Sequence, residues 1–484
     1  MNDRLSRMLL PAVMLLCCVF AVYISIYRPG YLNSSYYLGG LIFLQILVAA
    51  LWNYRQRFFP LLIAIFLWAG TALPLNGVWT WGRWFVLVAG AIVGFIIYMN
   101  DRHHYFATFH LVAFFCVLAA LVSAMVSLYP GVAVLKAMSL LLLFLYGASG
   151  ARLAIVGREE KFFKGLLWAV EILVYLTAAA YFLLGFAAYG NPNSLGAVMG
   201  VVAAPLLLWG IFTSERIPQR RRRTLAFMLC VFLLFFSQAR AGMAAGIFSC
   251  FLLCLALRRY RVLIQGTVLA VFLAAFALIA TPSEPDQIDM PSRQAGSSPL
   301  SVFLYKGNEE AGILGSRRSA WQQTTAVIQE HPWFGSGFGT GLTKYEGGGM
   351  QVGKYSSSSM ATREHGNSYL ALMEWVGLLG VVPFLTLVVL LILNVGRVLA
   401  RLRRTGNPHH FAVPVALVLT AGLVHAAFED WLFAVGYYLC VFFWVFAFVL
   451  IDFLPATAAA VPKPASAWTA RPFSQGFRAV APDR

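Results

Sequence analysis

Apolar residues in this chain run in blocks of about 17–25, the length a helix needs to cross a hydrocarbon core. Short polar clusters separate the blocks, which fall near residues 8–27, 36–52, 58–76, 82–100, 105–128, 131–150, 163–187, 194–213, 224–239, 241–257, 262–280, 367–394, 411–428 and 431–452. The pattern predicts an all-α polytopic integral membrane protein with about fourteen transmembrane helices. Two stretches are less regular. Block 131–150 carries Lys136, and 224–257 reads either as a tight hairpin or as one kinked unit. The predicted organisation is a bundle of about eleven spans over 1–280, a large polar loop over 281–366, three further spans over 367–453, and an Ala/Pro-rich tail over 454–484 with the composition of disordered chain. Within the loop, Pro282 to Asp286 and Gly296 to Pro299 read as irregular chain. A helix is expected near 317–330, with Pro332 after its end. It is followed by Gly335-Ser336-Gly337-Phe338-Gly339-Thr340-Gly341 and a serine run from Ser356 to Ser359. No internal repeat is visible.

Composition agrees. With 60% hydrophobic and 11% charged residues over 484 positions, the chain is too apolar for a soluble domain. The formal charge of +17 does not point to nucleic acid, because the basic residues sit in clusters between spans. If the N-terminus is cytoplasmic, the cytoplasmic connections hold Arg55, Arg57, Arg102, Arg152, Arg158, Lys161, Lys164, Arg216, Arg220 to Arg223, Arg258, Arg259, Arg261, Arg397, Arg401, Arg403 and Arg404. The opposite short connections hold only Arg28, Arg83 and Arg240. The positive-inside rule then places both termini in the cytoplasm and the large loop outside. The first block, bounded by Arg4 and Arg7 and without a small-residue cleavage site, reads as a span and not as a signal peptide. All seven cysteines lie in apolar stretches, so neither a disulfide framework nor a zinc spacing is present.

The polar residues at the outer face carry the candidate chemistry. Arg363 to Leu370 ends the large loop and begins a span. His365 is a candidate general base, since an imidazole with a pKa near 6.5 titrates close to neutrality. Asn367 and Ser368 are good N-caps. Glu374, seven residues after Asn367, lies on nearly the same helix face about 10 Å further along, and a carboxylate at that depth implies a polar cavity with His365 at its mouth. Arg240, in the hairpin Ser237 to Gly242, suits phosphate oxygens through its planar fork, or it snorkels to a headgroup. Arg317 and Arg318 open the loop helix, where one of them can address a diphosphate or both can be solvated. Trp321 shares their face and can pack the helix on the membrane surface. Arg83, among Trp79, Trp81 and Trp84, reads as an interfacial arginine or a further phosphate contact. Asn193 lies in an outer turn that can line the site. The run from His331 to Gly339 lacks the Lys-Ser/Thr ending of a nucleotide loop, and reads as a helix stop and a tight turn over the bilayer surface. Glu429 and Asp430, beside Trp431 in the turn between the last two spans, and Lys136, Glu171 and His425 are further polar candidates or structural pairs.

Three of these blocks, in this order, resemble the O-antigen ligase and polymerase superfamily of bacterial envelopes. They are Ser237 to Gly242 with its arginine; Arg317/Arg318 and Trp321 followed by His331-Pro332 and Gly335, Gly337 and Gly339; and His365 through Gly377-Leu378-Leu379-Gly380. The resemblance covers roughly Tyr189 to Phe453. Two departures are visible. Gly366 separates His365 from Asn367, and Trp375 stands where the family places its helix Glu. The resemblance implies a metal-independent, inverting glycosyl transfer at the periplasmic face of the bacterial inner membrane, with no cofactor. The donor would be a glycan on undecaprenyl diphosphate, and the acceptor a glycolipid, another lipid-linked glycan or a protein. His365 and Glu374 would be catalytic; Arg240, Arg317, Arg318, Arg363 and Arg83 would hold the diphosphate; Asn193, Asn367 and Trp321 would line the substrate. The dominant single loop leans towards a ligase acting on lipid A core, ahead of a polymerase or a protein O-oligosaccharyltransferase. A transporter or flippase of an anionic lipid is the alternative of a different class, but it predicts inverted repeats and broken helices, neither of which the sequence displays.

Overall fold

A computed structural model describes residues 35–54, 57–70, 76–100, 107–183, 192–266, 268, 315–340 and 365–454. The block 8–27, most of 262–280, the loop segments 281–314 and 341–364 (with Arg363) and the tail from 455 lie outside the described residues. Among the described residues every regular element is helical. In chain order they are α1 (Ser35–Tyr54), α2 (Phe58–Ala69), α3 (Asn76–Asn100), α4 (Thr108–Met125), α5 (Pro130–Ala148), α6 (Gly150–Ile155), α7 (Glu159–Ala178), α8 (Pro192–Ala197), α9 (Ala204–Phe212), α10 (Ile217–Phe236), α11 (Arg240–Ala256), α12 (Gly315–Glu330), α13 (Ser368–Thr405), α14 (Ala412–Ala426) and α15 (Tyr438–Phe453). Short π-helical turns, Ala179–Leu183 and Val198–Ala203, extend α7 and join α8 to α9.

Six helices among the described residues are long and apolar enough to cross a membrane: Val78–Met99, Thr108–Met125, Pro130–Ile155, Glu159–Leu183, Asn193–Phe212 and Ser368–Thr405. Gly39–Ala50, Phe58–Ala69, Arg240–Ala256, Ala412–Ala426 and Tyr438–Phe453 are apolar but shorter. The stretch 224–257 is two helices, turning at Gln238 with φ 49°. The last expected block starts late: residues 427–437 are a folded, non-helical connection, and α15 begins at Tyr438.

Helices α14 and α15 form the centre of the bundle. Leu417, Val418, Val445 and Phe446 are fully buried there, as expected for helices apolar on all faces. Helix α11 packs on α14, and α15 on α5. Helix α13 packs on α4 and α14 and turns Leu378, Val382, Leu385, Val389 and Ile392 outward, an apolar stripe suited to lipid.

Helix α13 is broken. Gly377 sits at φ 66°, ψ −175°, a region open essentially to glycine alone. A break leaves backbone groups without helical partners, and residues 332–337 supply them. Ser336 N–H donates to Glu374 O (2.8 Å), Gly337 N–H to Trp375 O (3.1 Å), Leu378 N–H to Pro332 O (2.7 Å) and Leu379 N–H to Trp333 O (3.2 Å). Ser123 Oγ of α4 also donates to Trp375 O at 2.5 Å. This corrects two expectations. The glycine run is not a turn over the bilayer surface: residues 335–340 are buried, with Ser127 Oγ 2.7 Å from Thr340 Oγ1 and Lys136 Nζ donating to Gly339 O at 2.5 Å. A broken helix, absent from the sequence reading, is present. Neither the Gly377 nor the Gly380 position ends the helix, which runs on to Thr405.

Side-chain ties define two ends of the bundle. At one end Arg83 Nη1 donates to Gly436 O (2.6 Å), and Tyr438 OH to Ser194 O (3.1 Å). At the other, Arg152 pairs with Asp452 (3.3 Å), and Trp209 Nε1 donates to Pro408 O (2.7 Å). Glu171 pairs with Arg222 (2.5 Å) and Arg223 (3.2 Å) of α10, a structural use of a carboxylate facing a basic helix start.

Candidate active site

The start of α13 is built from three consecutive residues with different tasks. Asn367 is the N-cap: its Oδ1 accepts from the N–H of Tyr369 (2.8 Å) and of Leu370 (3.1 Å). That satisfies two of the first backbone donors. Ser368 Oγ donates to Glu429 O (2.5 Å) and accepts from Leu432 N–H (3.1 Å), fixing the 427–437 connection beside the helix start. Gly366, at φ 65°, makes the turn before the cap. A side chain there would strike Arg317, whose Cδ and Nη1 lie 2.8 Å from where a Cβ would be. Trp321 Nε1 donates to Gly366 O at 3.3 Å. The glycine that interrupts the family's His-Asn pair thus seats helix α12 against the loop through Arg317 and Trp321.

His365 is buried at 1% exposure, not at an open cavity mouth. Its backbone N–H and its Nδ1 both meet Asp430 Oδ2, at 2.8 and 3.1 Å. Its Nε2 faces Glu374 Oε1 at 3.3 Å, and Glu374 is fully buried. Trp375 stands edge-on to the imidazole, ring centres 5.4 Å apart. The Glu374 carboxylate therefore reaches His365 although the family places its Glu one residue later, and the indole at that later position packs on the same ring. Burial works against charge on His365, but the hydrogen bonds and charges of Asp430 and Glu374 prevail and hold its pKa above the ordinary value. Burial likewise opposes ionisation of Asp430, and its hydrogen bonds to His365 outweigh that, holding it below the ordinary carboxylate range. Because Asp430 is an ionised acceptor, Nδ1 carries a proton, and Nε2 is the nitrogen at which a proton is gained or released.

Arg317 forms an ion pair with Glu429, with the two side chains 18% and 15% exposed. The charges of Arg317 and Arg240 act on each other, so the hairpin arginine and the loop-helix arginine share one neighbourhood. Arg318, the neighbour of Arg317, is exposed. Arg83 is engaged elsewhere: besides Gly436 O, its guanidinium lies over Trp84 (5.2 Å) and Phe66 (5.9 Å). Asn193 lies at the start of α8, and Arg363 lies outside the described residues. His425 accepts from Trp431 Nε1 at 2.7 Å, a contact within the core. The structure thus gathers His365, Glu374, Arg317, Trp321, Asn367 and Arg240, and leaves Arg318 and Arg83 on other surroundings. Glu429 and Asp430 complete the cluster, and the sequence reading left them among the generic polar candidates. Their signal was available: two adjacent carboxylates in a turn within an apolar region need partners.

A short Gly-bearing turn before α13, a buried histidine between a carboxylate of α13 and one of the 427–437 connection, and arginines at the starts of α11 and α12 make up the site. Residues 225–385 match the family described as O-antigen ligase. This stretch is an O-antigen ligase domain. It spans about a third of the 484 residues and contains Arg240, Arg317, His365 and Glu374, whereas Glu429 and Asp430 lie beyond it. No curated protein matches the chain. The match supports a glycan enzyme of the O-antigen ligase or polymerase type, in a chain whose described residues include six helices long and apolar enough to cross a membrane.

Proposed function

We propose that the protein transfers a glycan from undecaprenyl diphosphate to an acceptor hydroxyl at the periplasmic face of the inner membrane, as an O-antigen ligase acting on lipid A core. The observation that carries this reading is His365, held by Asp430 and facing Glu374, at the end of the bundle where the charges of Arg317 and Arg240 act on each other. The acceptor O–H gives its proton to Nε2 of His365, with Glu374 beside it. The acceptor oxygen bonds to the anomeric carbon from the side opposite the diphosphate, and the bond from that carbon to the diphosphate oxygen breaks with its electron pair, giving inversion. Arg317 and Arg240 stabilise the charge that grows on the departing lipid diphosphate. The leaving group is already good, so the reaction as proposed uses no metal, and a chelator should leave the rate unchanged. The lipid tail lies along the apolar outer faces of the helices.

The test is a transfer assay with purified protein and lipid-linked glycan. Loss of the base should lower kcat by about 10²–10⁴-fold in His365→Ala, and Arg240→Ala should lower it by about 10²–10³-fold. Full transfer by both variants would sink the mechanism. The product decides the acceptor: glycan on lipid A core supports the ligase, a longer glycan on the carrier a polymerase, and glycan on protein an oligosaccharyltransferase. The break at Gly377 favours one rival, a transporter of an anionic lipid, since transporters use broken helices. Here the break is filled by the chain's own residues 332–337, so among the described residues it lines no path. Lipid movement without glycosidic bond formation would establish that rival.

A further inference from the structure

The anion-binding arginine and the base are both held by one dipeptide. Glu429 pairs with Arg317, and the next residue, Asp430, takes both the backbone N–H and Nδ1 of His365. The backbone that carries both carboxylates is anchored to the start of α13, because Ser368 Oγ donates to Glu429 O and accepts from Leu432 N–H. The Arg317 side chain lies against Gly366, the residue after His365. A donor diphosphate and the Glu429 carboxylate are chemically alike in what they offer the planar fork of a guanidinium: paired, negatively charged oxygen acceptors.

We propose that Glu429 is a stand-in for the donor diphosphate, holding Arg317 until the donor arrives, and that Asp430 is the positioning residue that sets the charge and orientation of His365, so that donor binding and base readiness are coupled through this dipeptide. The inference rests on the transferase reading above. When the diphosphate arrives it displaces Glu429 from Arg317. The displaced carboxylate is adjacent in the chain to the group that holds the imidazole, so donor occupancy is felt at His365. Coupling of this kind between sites typically amounts to about 5–150-fold in affinity. Among the described residues, the titratable and charged groups around His365 are Asp430 at Nδ1, Glu374 at Nε2 and the Arg317–Glu429 pair across Gly366. The charge of Arg317 also acts on Arg240 and His425.

Two measurements on the full-length protein in detergent test this. The first is binding of inorganic pyrophosphate. Glu429→Gln keeps the shape but removes the competing charge, and should bind pyrophosphate about five- to tenfold more tightly than the wild type, with KM for the lipid-linked donor lowered and kcat not raised. Equal or weaker binding would overturn the stand-in role, and absence of pyrophosphate binding in both proteins would overturn it together with the diphosphate site. The second is the pH profile of kcat. Asp430→Asn should move its acid limb to lower pH and leave KM for the donor nearly unchanged, and Asp430→Glu should restore the limb towards its original position. An unmoved limb would overturn the positioning role. His365→Ala serves as the control on the underlying reading. If it loses transfer while Glu429→Gln and Asp430→Asn behave as the wild type, the coupling alone falls. If it retains full transfer, the base assignment and the coupling fall together.

Discussion

His365 has its two ring nitrogens committed to opposite duties. Nδ1 is held by an ionised Asp430, and Nε2 looks at Glu374 in a place closed to water. The raised pKa of His365 means its interaction contributes stability fully below the ordinary value near 6.5 and loses it as pH climbs through the folded value. The depressed pKa of Asp430 contributes stability above about pH 4, and that is lost as pH falls through its folded value. The difference in Tm between wild type and His365→Ala should therefore be largest between about pH 4 and 6.5, shrinking on either side. A difference that is flat across pH 3–9 would contradict the paired charges. Gly366 is a second residue-scale test. Gly366→Ala places a side chain at φ 65° and against the tip of Arg317. The backbone strain should cost about 1–2 kcal/mol. The guanidinium is the flexible end of a long side chain, so it moves aside at little further cost in stability. Its displacement should appear in function instead, as a raised KM for the donor in steady-state assays.

Helix α13 carries the site on its first turns and its exposed apolar stripe further on, with Gly377 between. The break lets carbonyls 374 and 375 face sideways, where Ser336, Gly337 and Ser123 use them, so the backbone under Glu374 is clamped from two sides. Gly377→Ala would put a Cβ against the backbone of Trp333 and Gly335, which cannot swing away as a side-chain tip can. We expect a loss of about 1–3 kcal/mol, read as a lowered Tm in detergent, together with reduced transfer because Glu374 shifts. Gly396, further along the same helix, meets nothing within 4 Å. Gly396→Ala should be neutral or stabilising by up to about 1 kcal/mol. Similar losses at both glycines would show that helix propensity, and not the docked loop, governs α13. The glycines at 335, 337 and 339 were legible as a tight turn. Their burial under α13 was not, because composition reports where a chain can bend and is silent on what it bends against.

Across the whole molecule, the ties at one end join α3, α12 and α13 to the 427–437 connection and α8 to α15, while Arg152–Asp452 and Trp209–Pro408 close the other. Arg401, Arg403 and Arg404 occupy the last turns of α13, at the end away from His365. If the positive-inside rule sets the orientation, a membrane-impermeant maleimide on intact cells should label Ser356→Cys and reach Arg403→Cys only after permeabilisation. The reverse pattern would turn the proposed site to the cytoplasm and remove the periplasmic reaction.

Apolar blocks alone were enough to determine an all-helical membrane protein. The ordered arrangement of Arg240, the Arg317/Arg318 helix start and the His365 segment was enough to point to the ligase superfamily, because membrane helices must satisfy their backbone internally and charged residues among them are rare. Asn367 as a cap was readable too, since capping is local in sequence. Tertiary structure decided the rest. Asp430 lies 65 positions from His365 and Glu429 112 from Arg317, and no periodicity along the chain connects residues so far apart. Only the packing of α13 against α14, and the connection folded over both, brings them within reach. The same packing turned Gly366 from an apparent interruption into the space that Arg317 occupies.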